Sequence, residues 1–197
     1  MGWREPILTI GHSRHSLGRF IELLEEAGAT AVADVRSAPM SRFSPHFNKN
    51  ALAVLLAERE IAYLFLGKEL GGRPERPEMY TDGVADYEKM AASPKFQAGI
   101  ARLIEAAQQN RIAAMCSEAD PLDCHRCLLV ARALAGAGFD VGHILASGSI
   151  MPHADAEERL LDLANLAEPG LLLPSREARL AEAYRARARK VAYAMPR

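Results

Sequence analysis

Short apolar runs alternate with amphipathic segments along most of this chain. Five of the runs stop at glycine or at polar residues, which is typical of buried strands. These five runs cover residues 7–10, 31–33, 61–66, 112–115 and 139–145. The intervals between them carry apolar residues at the three- and four-residue spacing of a helix face. The pattern therefore predicts strands and helices in alternation.

Capping and breaking residues define the predicted helices more closely. Ser16 is a typical N-cap and Gly28 a typical C-terminal stop, so the first helix lies between them. The second helix starts at Asn48 or Asn50. Further helices are predicted over 85–92, 94–109, a segment that ends near 137, 155–166 and 175–194. Residues 67–83 are predicted to be irregular and 148–153 to be a polar connection, because both contain glycine and proline.

The alternation of strands and helices predicts right-handed crossovers and a mainly parallel sheet. We expect an α/β fold with about five strands, helices on both faces and an additional C-terminal helix. The length of 197 residues and the hydrophobic content of 49% suffice for one well-buried domain. We therefore treat 1–197 as one domain, with a core over 7–153 and a helical extension over 154–197. Pro169 and Gly170 separate its last two helices.

Charge and cysteine content narrow the classes of protein. The formal net charge of −1 favours neither a membrane surface nor nucleic acid as a general partner. The three cysteines lie within twelve residues, which is too close for a disulfide framework, so reduced thiols and a cytoplasmic location are expected. The N-terminus has no long apolar core, and no run approaches about 18 apolar residues, so we expect neither a signal peptide nor a membrane span.

The most informative stretch is 113–126, where an apolar run ends in a polar loop that opens into a helix. Asp120, followed by Pro121, is one predicted N-cap, and Asp123 is the other. The first turn or so then carries Cys124, His125 and Arg126, beside the unpaired N–H groups of the helix start. Glu118 lies in the same loop.

Polar residues also follow the first two predicted strands. The loops that follow parallel strands share one edge of the sheet. His12 and Ser13 follow the first strand, Asp34 and Arg36 follow the second, and Arg42 lies in the loop after them. We therefore predict that these residues and the 118–126 segment form one site.

This site suits an anionic ligand, with phosphate ahead of carboxylate. Arginine side chains and a helix N-terminus offer donors to such groups, so Ser13, Arg36, Arg42 and Arg126 are the predicted ligand-binding residues. A thiol at a helix start beside a cation gains thiolate character, which makes Cys124 the predicted nucleophile or thiol donor. His125 or His12 would carry a proton, and Glu118 and Asp34 would act as acid–base or orienting carboxylates.

Other interpretations of the cysteines remain open at this point. Cys124 is as consistent with a small buried packing residue as with a nucleophile, and Cys116 and Cys127 are expected to pack in the core. The Cys-x5-Arg phosphatase loop is excluded, because position 122 is leucine. The Cys-x7-Cys-His-x-Cys spacing is not a standard zinc pattern, even with His12, His46 or His153 added. We predict no metal and no cofactor.

Several short motifs recur here in a fixed order. They are residues 9–13 (TIGHS), 34–37 (DVRS) with Pro39, 41–43 (SRF), 70–72 (LGG), 116–118 (CSE) and 124–126 (CHR), then His143, Ile144, Gly148 and His153. Together they resemble the bacterial and archaeal family called Domain of Unknown Function 488, over roughly residues 7 to 153. The resemblance implies an α/β fold and a shared polar site, without an established reaction.

Two classes of function follow. The first is an enzyme, a hydrolase or group transferase that acts on a small anionic ligand, phosphate- or nucleotide-bearing, at the C-terminal edge of the sheet. The second is a binding module without turnover that uses the loop arginines and the basic C-terminal helix. Residues 176–197 carry seven Lys or Arg and two Glu, so nucleic acid is a second, less favoured partner. The sequence does not indicate an oligomeric state.

Overall fold

A computed structural model describes residues 5–167 and 175–195 of the chain. Six strands form the main sheet, in the order β3-β2-β6-β1-β7-β8, and β4 and β5 form a separate hairpin. The strands are β1 (Ile7–Gly11), β2 (Ala31–Asp34), β3 (Ala62–Phe65), β4 (Tyr80–Thr81), β5 (Val84–Ala85), β6 (Ile112–Cys116), β7 (Val141–Ile144) and β8 (Ile150–Pro152). All neighbours in the main sheet are parallel except β7 and β8.

Eight α-helices surround the sheet within the described ranges. They are α1 (Leu17–Glu26), α2 (Lys49–Ala57), α3 (Gly67–Leu70), α4 (Tyr87–Ala92), α5 (Pro94–Ala107), α6 (Arg132–Gly136), α7 (His153–Leu163) and α8 (Arg176–Val191). The Ser16 hydroxyl caps α1 as the sequence predicts, by accepting from the Arg19 N–H. Asn48 precedes α2 at one of the two predicted starts, and its side chain accepts from the Ser41 N–H instead of capping the helix. Gly28, at φ +67, follows α1 in the left-handed conformation that glycine favours.

The sheet separates two apolar layers. Leu8 and Ile10 of β1 pack with Phe20 of α1 and Leu52 of α2 on one face. Ile7, next to Leu8 in β1, points to the other face, where α4, α5, α7 and α8 contribute side chains to a larger cluster. Successive strand residues point to opposite faces, so a continuous apolar run in β1 is buried on both sides. The predicted α/β sheet with helices on both faces is confirmed.

The sheet has a sixth strand, β8, where the sequence predicted only a polar connection over 148–153. Gly148, at φ +91, turns the chain back, and β8 pairs antiparallel with β7 at the edge of the sheet. An edge strand of three residues needs little apolar surface, since Ile150 is exposed and Met151 half-buried. The same turn lets α7 start at His153, two residues earlier than predicted.

Other differences are smaller. Residues 67–83, predicted to be irregular, contain α3 and β4. Pro169 and Gly170, predicted to separate the last two helices, lie outside the described residues. Among the helices that the structure describes, not one combines the length and the apolar character that crossing a bilayer requires.

Candidate active site at the carboxyl edge of the sheet

Three adjacent strands bring the predicted site segments together. In the order β2-β6-β1, the carboxyl ends of these strands lie side by side. Backbone hydrogen bonds continue past the strands: His12 N–H donates to Cys116 O at 2.9 Å, and Ser13 N–H to Ser117 O at 2.8 Å. The loops that carry His12, Arg36 and Glu118 therefore start from one edge.

The loop after β6 forms one 3-10 turn before its helix begins. The Asp120 carboxylate caps this turn, Pro121–Asp123, by accepting from Leu122 N–H at 2.9 Å. Cys124 is then extended, and the helix starts with a π-helical turn, Arg126–Ala131, that leads into α6. The Asp120 cap is as the sequence predicts, but the thiol of Cys124 lies just before the helix. The Arg126 N–H donates to the Cys124 sulfur at 3.4 Å.

Cys116, Cys124, Glu118 and His125 form what we call the thiol cluster. Glu118 Oε2 lies 2.9 Å from the sulfur of Cys124 and 3.1 Å from that of Cys116. His125 Nδ1 lies 3.5 Å from the Cys116 sulfur and 3.8 Å from the Cys124 sulfur. His125 Nε2 donates to Val35 O at 2.9 Å, so Nδ1 is the ring nitrogen that faces the two thiols.

These contacts distribute the protons unevenly within the thiol cluster. Burial opposes ionisation of Cys124, but the hydrogen bond from Cys116 and the charges of Arg126 and His125 lower its pKa well below the usual value. Burial raises the pKa of Cys116, and burial together with Cys124 raises that of Glu118. Burial opposes a charged His125, yet the neighbouring Cys124 raises its pKa. These shifts favour ionisation of Cys124 over Cys116, and they make Glu118 hold a proton more tightly than a carboxylate in water does.

Arg36 is the centre of a second buried group. Its Nε and Nη2 donate to the two carboxylate oxygens of Asp34, at 2.9 and 2.7 Å. Nη2 also donates to Phe47 O, and Nη1 lies 3.3 Å from His12 Nε2. Tyr63 donates its hydroxyl to Asp34 Oδ2 at 2.6 Å, and burial together with this carboxylate raises the pKa of Tyr63. Asp34 is thus fully occupied in holding Arg36 in place.

A cleft of about 270 Å³ joins the thiol cluster to Arg36. The exposed Arg73 borders the cleft, with its guanidinium 5.0 Å from the centre of the Tyr193 ring. Gly72 lies against His125, where a Cβ would be 2.8 Å from the imidazole Cγ. The lining of the cleft therefore includes two thiols, two carboxylates and two arginines.

The remaining predicted ligand-binding residues lie apart from the open part of this cleft. Arg126 is fully buried, and its guanidinium donates to the carbonyls of Glu118 at 2.5 Å and Ala119 at 2.9 Å. Arg42 is exposed and stacks over Phe43. Ser13 takes a left-handed backbone conformation, at φ +47, in the turn after β1.

Arg73 and Tyr193 are two cleft residues that the sequence analysis did not single out. Arg73 lies in the segment 67–83 that was predicted to be irregular, and no sequence signal links it to Tyr193, 120 positions later. The two glycines of the 70–72 motif were the signal in the sequence for this part of the site. A Cβ at Gly71 would clash with Ser37, and a Cβ at Gly72 would clash with His125. Cys127 does not join Cys116 and Cys124 in the thiol cluster. It lies in the core, with its sulfur 3.8 Å from His143 Nε2.

Most of the basic side chains of α8 are already paired within the molecule. Arg176 pairs with Glu158, Arg185 with Glu88, and Arg187 with Asp123. Arg179 is buried and donates to the carbonyls of Leu166 and Ala167. These contacts use charges that a nucleic-acid surface would need.

The fold and the site define an α/β protein with a thiol-, imidazole- and arginine-bearing cleft at the carboxyl edge of a mostly parallel sheet. The chain belongs to the family described as Domain of unknown function DUF488, whose model matches residues 16–133, more than half of its length. Comparison with curated proteins and with solved structures gives no match to this chain.

Proposed function

We propose that this protein is a thiol-dependent enzyme, a hydrolase or group transferase, that acts on a small anionic substrate. One observation carries the proposal: Glu118 Oε2 lies 2.9 Å from the Cys124 sulfur, in a cleft bordered by Arg36 and Arg73. A nucleophile, a proton donor and cations for an anion therefore share one concavity.

The chemical step follows from the proton distribution. The Cys124 thiolate attacks the electrophilic centre of the substrate and forms a covalent bond to it. The leaving group departs with the bonding electron pair and takes the proton of the Glu118 carboxyl group. Water or an acceptor group then attacks the same centre, breaks its bond to sulfur and returns one proton to Glu118. The thiols must be reduced for this cycle, as they are in the cytoplasm.

Arg73 is the principal anion-binding group of the proposal. It is exposed and makes no ion pair among the described residues, whereas Arg36 is saturated by Asp34, Phe47 and His12. Arg36 adds a fixed positive charge to the wall of the cleft. A phosphate group suits this arrangement, because a guanidinium can offer it two parallel N–H donors.

A ligand screen with a matched control tests the anion site. Inorganic phosphate, phosphorylated metabolites and nucleotides are compared by thermal shift on the native protein, Arg73→Ala and Arg42→Ala. Both arginines are exposed and each lies 5.0 Å from an aromatic ring, but only Arg73 borders the cleft. We expect stabilisation of the native protein and of Arg42→Ala, with at least about a tenfold loss of affinity in Arg73→Ala. Equal binding by all three proteins contradicts the assignment.

The reactivity of Cys124 tests the nucleophile. Its lowered pKa predicts a thiolate at neutral pH, so alkylation by iodoacetamide should change little between pH 6 and pH 8. Peptide mapping should show the label on Cys124 and not on Cys127, since burial raises the pKa of Cys127 to about 12. The His125→Asn variant should react at least about tenfold more slowly at pH 6, because it removes a charge that favours the thiolate. A rate that rises tenfold per pH unit in the native protein would show an ordinary thiol at Cys124.

A further inference from the structure

A second group of buried side chains lies behind the thiol cluster, in the core beneath α8. Cys127, His143 and His153 are 0%, 0% and 5% exposed. His143 Nε2 and His153 Nδ1 are 3.0 Å apart, and the Cys127 sulfur lies 3.8 Å from the first and 4.0 Å from the second. One thiol and two imidazoles thus place three potential ligand atoms within 4.0 Å of one another.

The size of this triangle matches a coordination sphere. A point in its plane that is about 2.0 Å from both nitrogens is about 2.3 Å from the sulfur, which are the usual Zn–N and Zn–S bond lengths. One thiolate with two imidazoles in a trigonal arrangement also suits copper. The three side chains need no rearrangement to reach bonding distance of one ion.

The outer nitrogens of both rings have oxygen partners, as those of metal-binding histidines do. His143 Nδ1 lies 2.7 Å from the Thr9 hydroxyl, its neighbour in the pairing of β1 with β7. His153 Nε2 lies 3.1 Å from the Tyr184 hydroxyl, which donates its own proton to Glu157 at 3.1 Å. The Tyr184 oxygen must therefore accept from His153 Nε2, which leaves the lone pair of His153 Nδ1 directed inward.

We propose that Cys127, His143 and His153 bind one transition-metal ion of the class that prefers thiolate and imidazole ligands, Zn²⁺ or Cu⁺. Binding forms one metal–sulfur and two metal–nitrogen bonds, breaks the S–H bond of Cys127 and releases that proton to solvent. The ring proton of His143 resides on Nδ1, with the Thr9 oxygen as acceptor. No change of oxidation state is involved. This site is separate from the cleft of the proposed function.

The ion would connect three parts of the fold. Cys127 belongs to the π-helical turn Arg126–Ala131 and His143 belongs to β7, while His153 is the first residue of α7. π-Helical turns are rare and often lie at functional sites. This one begins two residues after Cys124, so the metal would fix the turn that positions the nucleophile. A structural role follows, because all three ligands are buried.

Metal loading of cysteine variants tests the site. The protein is reduced, treated with a chelator, and offered Zn²⁺ or Cu⁺ separately; bound metal is counted by mass spectrometry. Co²⁺ serves as a spectroscopic probe through its thiolate charge-transfer absorption. We expect one equivalent of metal in the native protein and less than about a tenth of an equivalent in Cys127→Ala.

Cys124→Ala is the matched control, because Cys116, Cys124 and His125 form a second buried group of potential ligands among the residues that the structure describes. It should still bind one equivalent. Metal that is retained in Cys127→Ala but lost in Cys124→Ala would place the ion in the thiol cluster and overturn the proposal. Absence of any bound Zn²⁺, Cu⁺ or Co²⁺ in the folded native protein would also overturn it, leaving a neutral hydrogen-bonded group.

The Tyr184→Phe variant tests the site without removing any of the three metal ligands. It deletes the hydroxyl that accepts from His153 and leaves the ring in place, so metal affinity should fall by about 10- to 100-fold. A competition titration against a chromogenic chelator measures this change. Circular dichroism of the metal-free variants confirms that they fold. An unchanged affinity in Tyr184→Phe would contradict the assigned role of His153.

Discussion

The imidazole of His12 stacks on the Phe47 ring, with centroids 4.3 Å apart, and its Nε2 faces Arg36. Burial and the Arg36 charge lower its pKa from 6.5 to about 4, although Asp34 and the Ser13 carbonyl act in the opposite direction. His12 is therefore neutral in the folded protein near pH 7. A neutral ring is an appropriate hydrogen-bond acceptor for Arg36, which suits a positioning role for His12 in the proposed function.

This shift makes stability depend on pH. The unfolded chain protonates His12 near pH 6.5 and the folded protein only near pH 4, so stability is full above about pH 6.5 and falls as the pH approaches 4. His12 should account for a loss of about 2 kcal/mol in the free energy of unfolding between pH 7.5 and pH 4.5. Urea unfolding at both pH values measures it.

The His12→Gln variant should lose less stability on acidification than the native protein by that amount. Equal pH dependence in His12→Gln and the native protein would show that His12 does not titrate in this range.

For individual side chains, the sequence identified the residues of the site better than it identified their hydrogen-bond and ion-pair partners. Asp34 and Arg36 follow a predicted strand at a spacing of two, which predicted their place at the sheet edge but did not decide between ligand binding by Arg36 and its ion pair with Asp34. Arg126 follows Cys124 closely, yet its length carries its guanidinium to loop carbonyls. Which acceptor a guanidinium reaches depends on where the nearest acceptor lies in the folded protein. A pattern of residue types along the chain does not contain that position.

Among the elements, the 70–72 segment shows why glycine is needed next to His125, a residue of the proposed active site. A Cβ at Gly72 would lie 2.8 Å from Cγ and 3.0 Å from Nδ1 of His125. The Gly72→Ala variant should therefore displace His125 from the thiols and raise the pKa of Cys124, since the imidazole favours its thiolate. The alkylation rate at pH 6 should fall by at least about fivefold, while the fold remains intact.

Gly18→Ala is the control for this change. Gly18 lies in α1, and a Cβ there would meet no atom within 4 Å. Alanine favours helix more than glycine by up to about 1 kcal/mol, so this variant should be as stable as the native protein or more stable, with unchanged thiol reactivity. A Gly72→Ala protein that reacts at the native rate would refute the contact between Gly72 and His125 as a constraint on the site.

Element prediction succeeded where burial is strong. The five predicted strands all lie in the main sheet. Four of them, β1, β2, β6 and β7, are buried at every residue, and a strand buried on both faces must be a continuous apolar run. β3 lies at the edge and is only partly buried. β8 was not among the predicted strands, because it lies at the edge and takes its hydrogen bonds from β7 without a hydrophobic pattern of its own. The β4–β5 hairpin was not predicted either, since β4 and β5 have only two residues each.

At the scale of the whole molecule, the C-terminal segment forms part of the cleft. α8 packs against α7 and the π-helical turn, and the chain then returns to the β4–β5 hairpin. Tyr193 O accepts from Ala85 N–H, and Met195 N–H donates to Gly83 O, both at 2.9 Å. This segment lies beyond residues 16–133, the range matched by the family model. One wall of the cleft therefore comes from a part of the chain outside the family match.

Tyr193 connects this wall to the proposed anion site, because its ring lies against the guanidinium of Arg73. The ring limits the positions that this exposed side chain samples, and a cation–π contact of this kind is worth about 0.5–1 kcal/mol. Tyr193→Ala should therefore weaken the binding of inorganic phosphate by about two- to fivefold, measured by thermal shift or phosphorus NMR titration. Tyr193→Phe keeps the ring and should bind phosphate as the native protein does. If Tyr193→Phe loses as much affinity as Tyr193→Ala, the hydroxyl contacts the ligand; if neither changes, Arg73 binds the anion without the C-terminal wall.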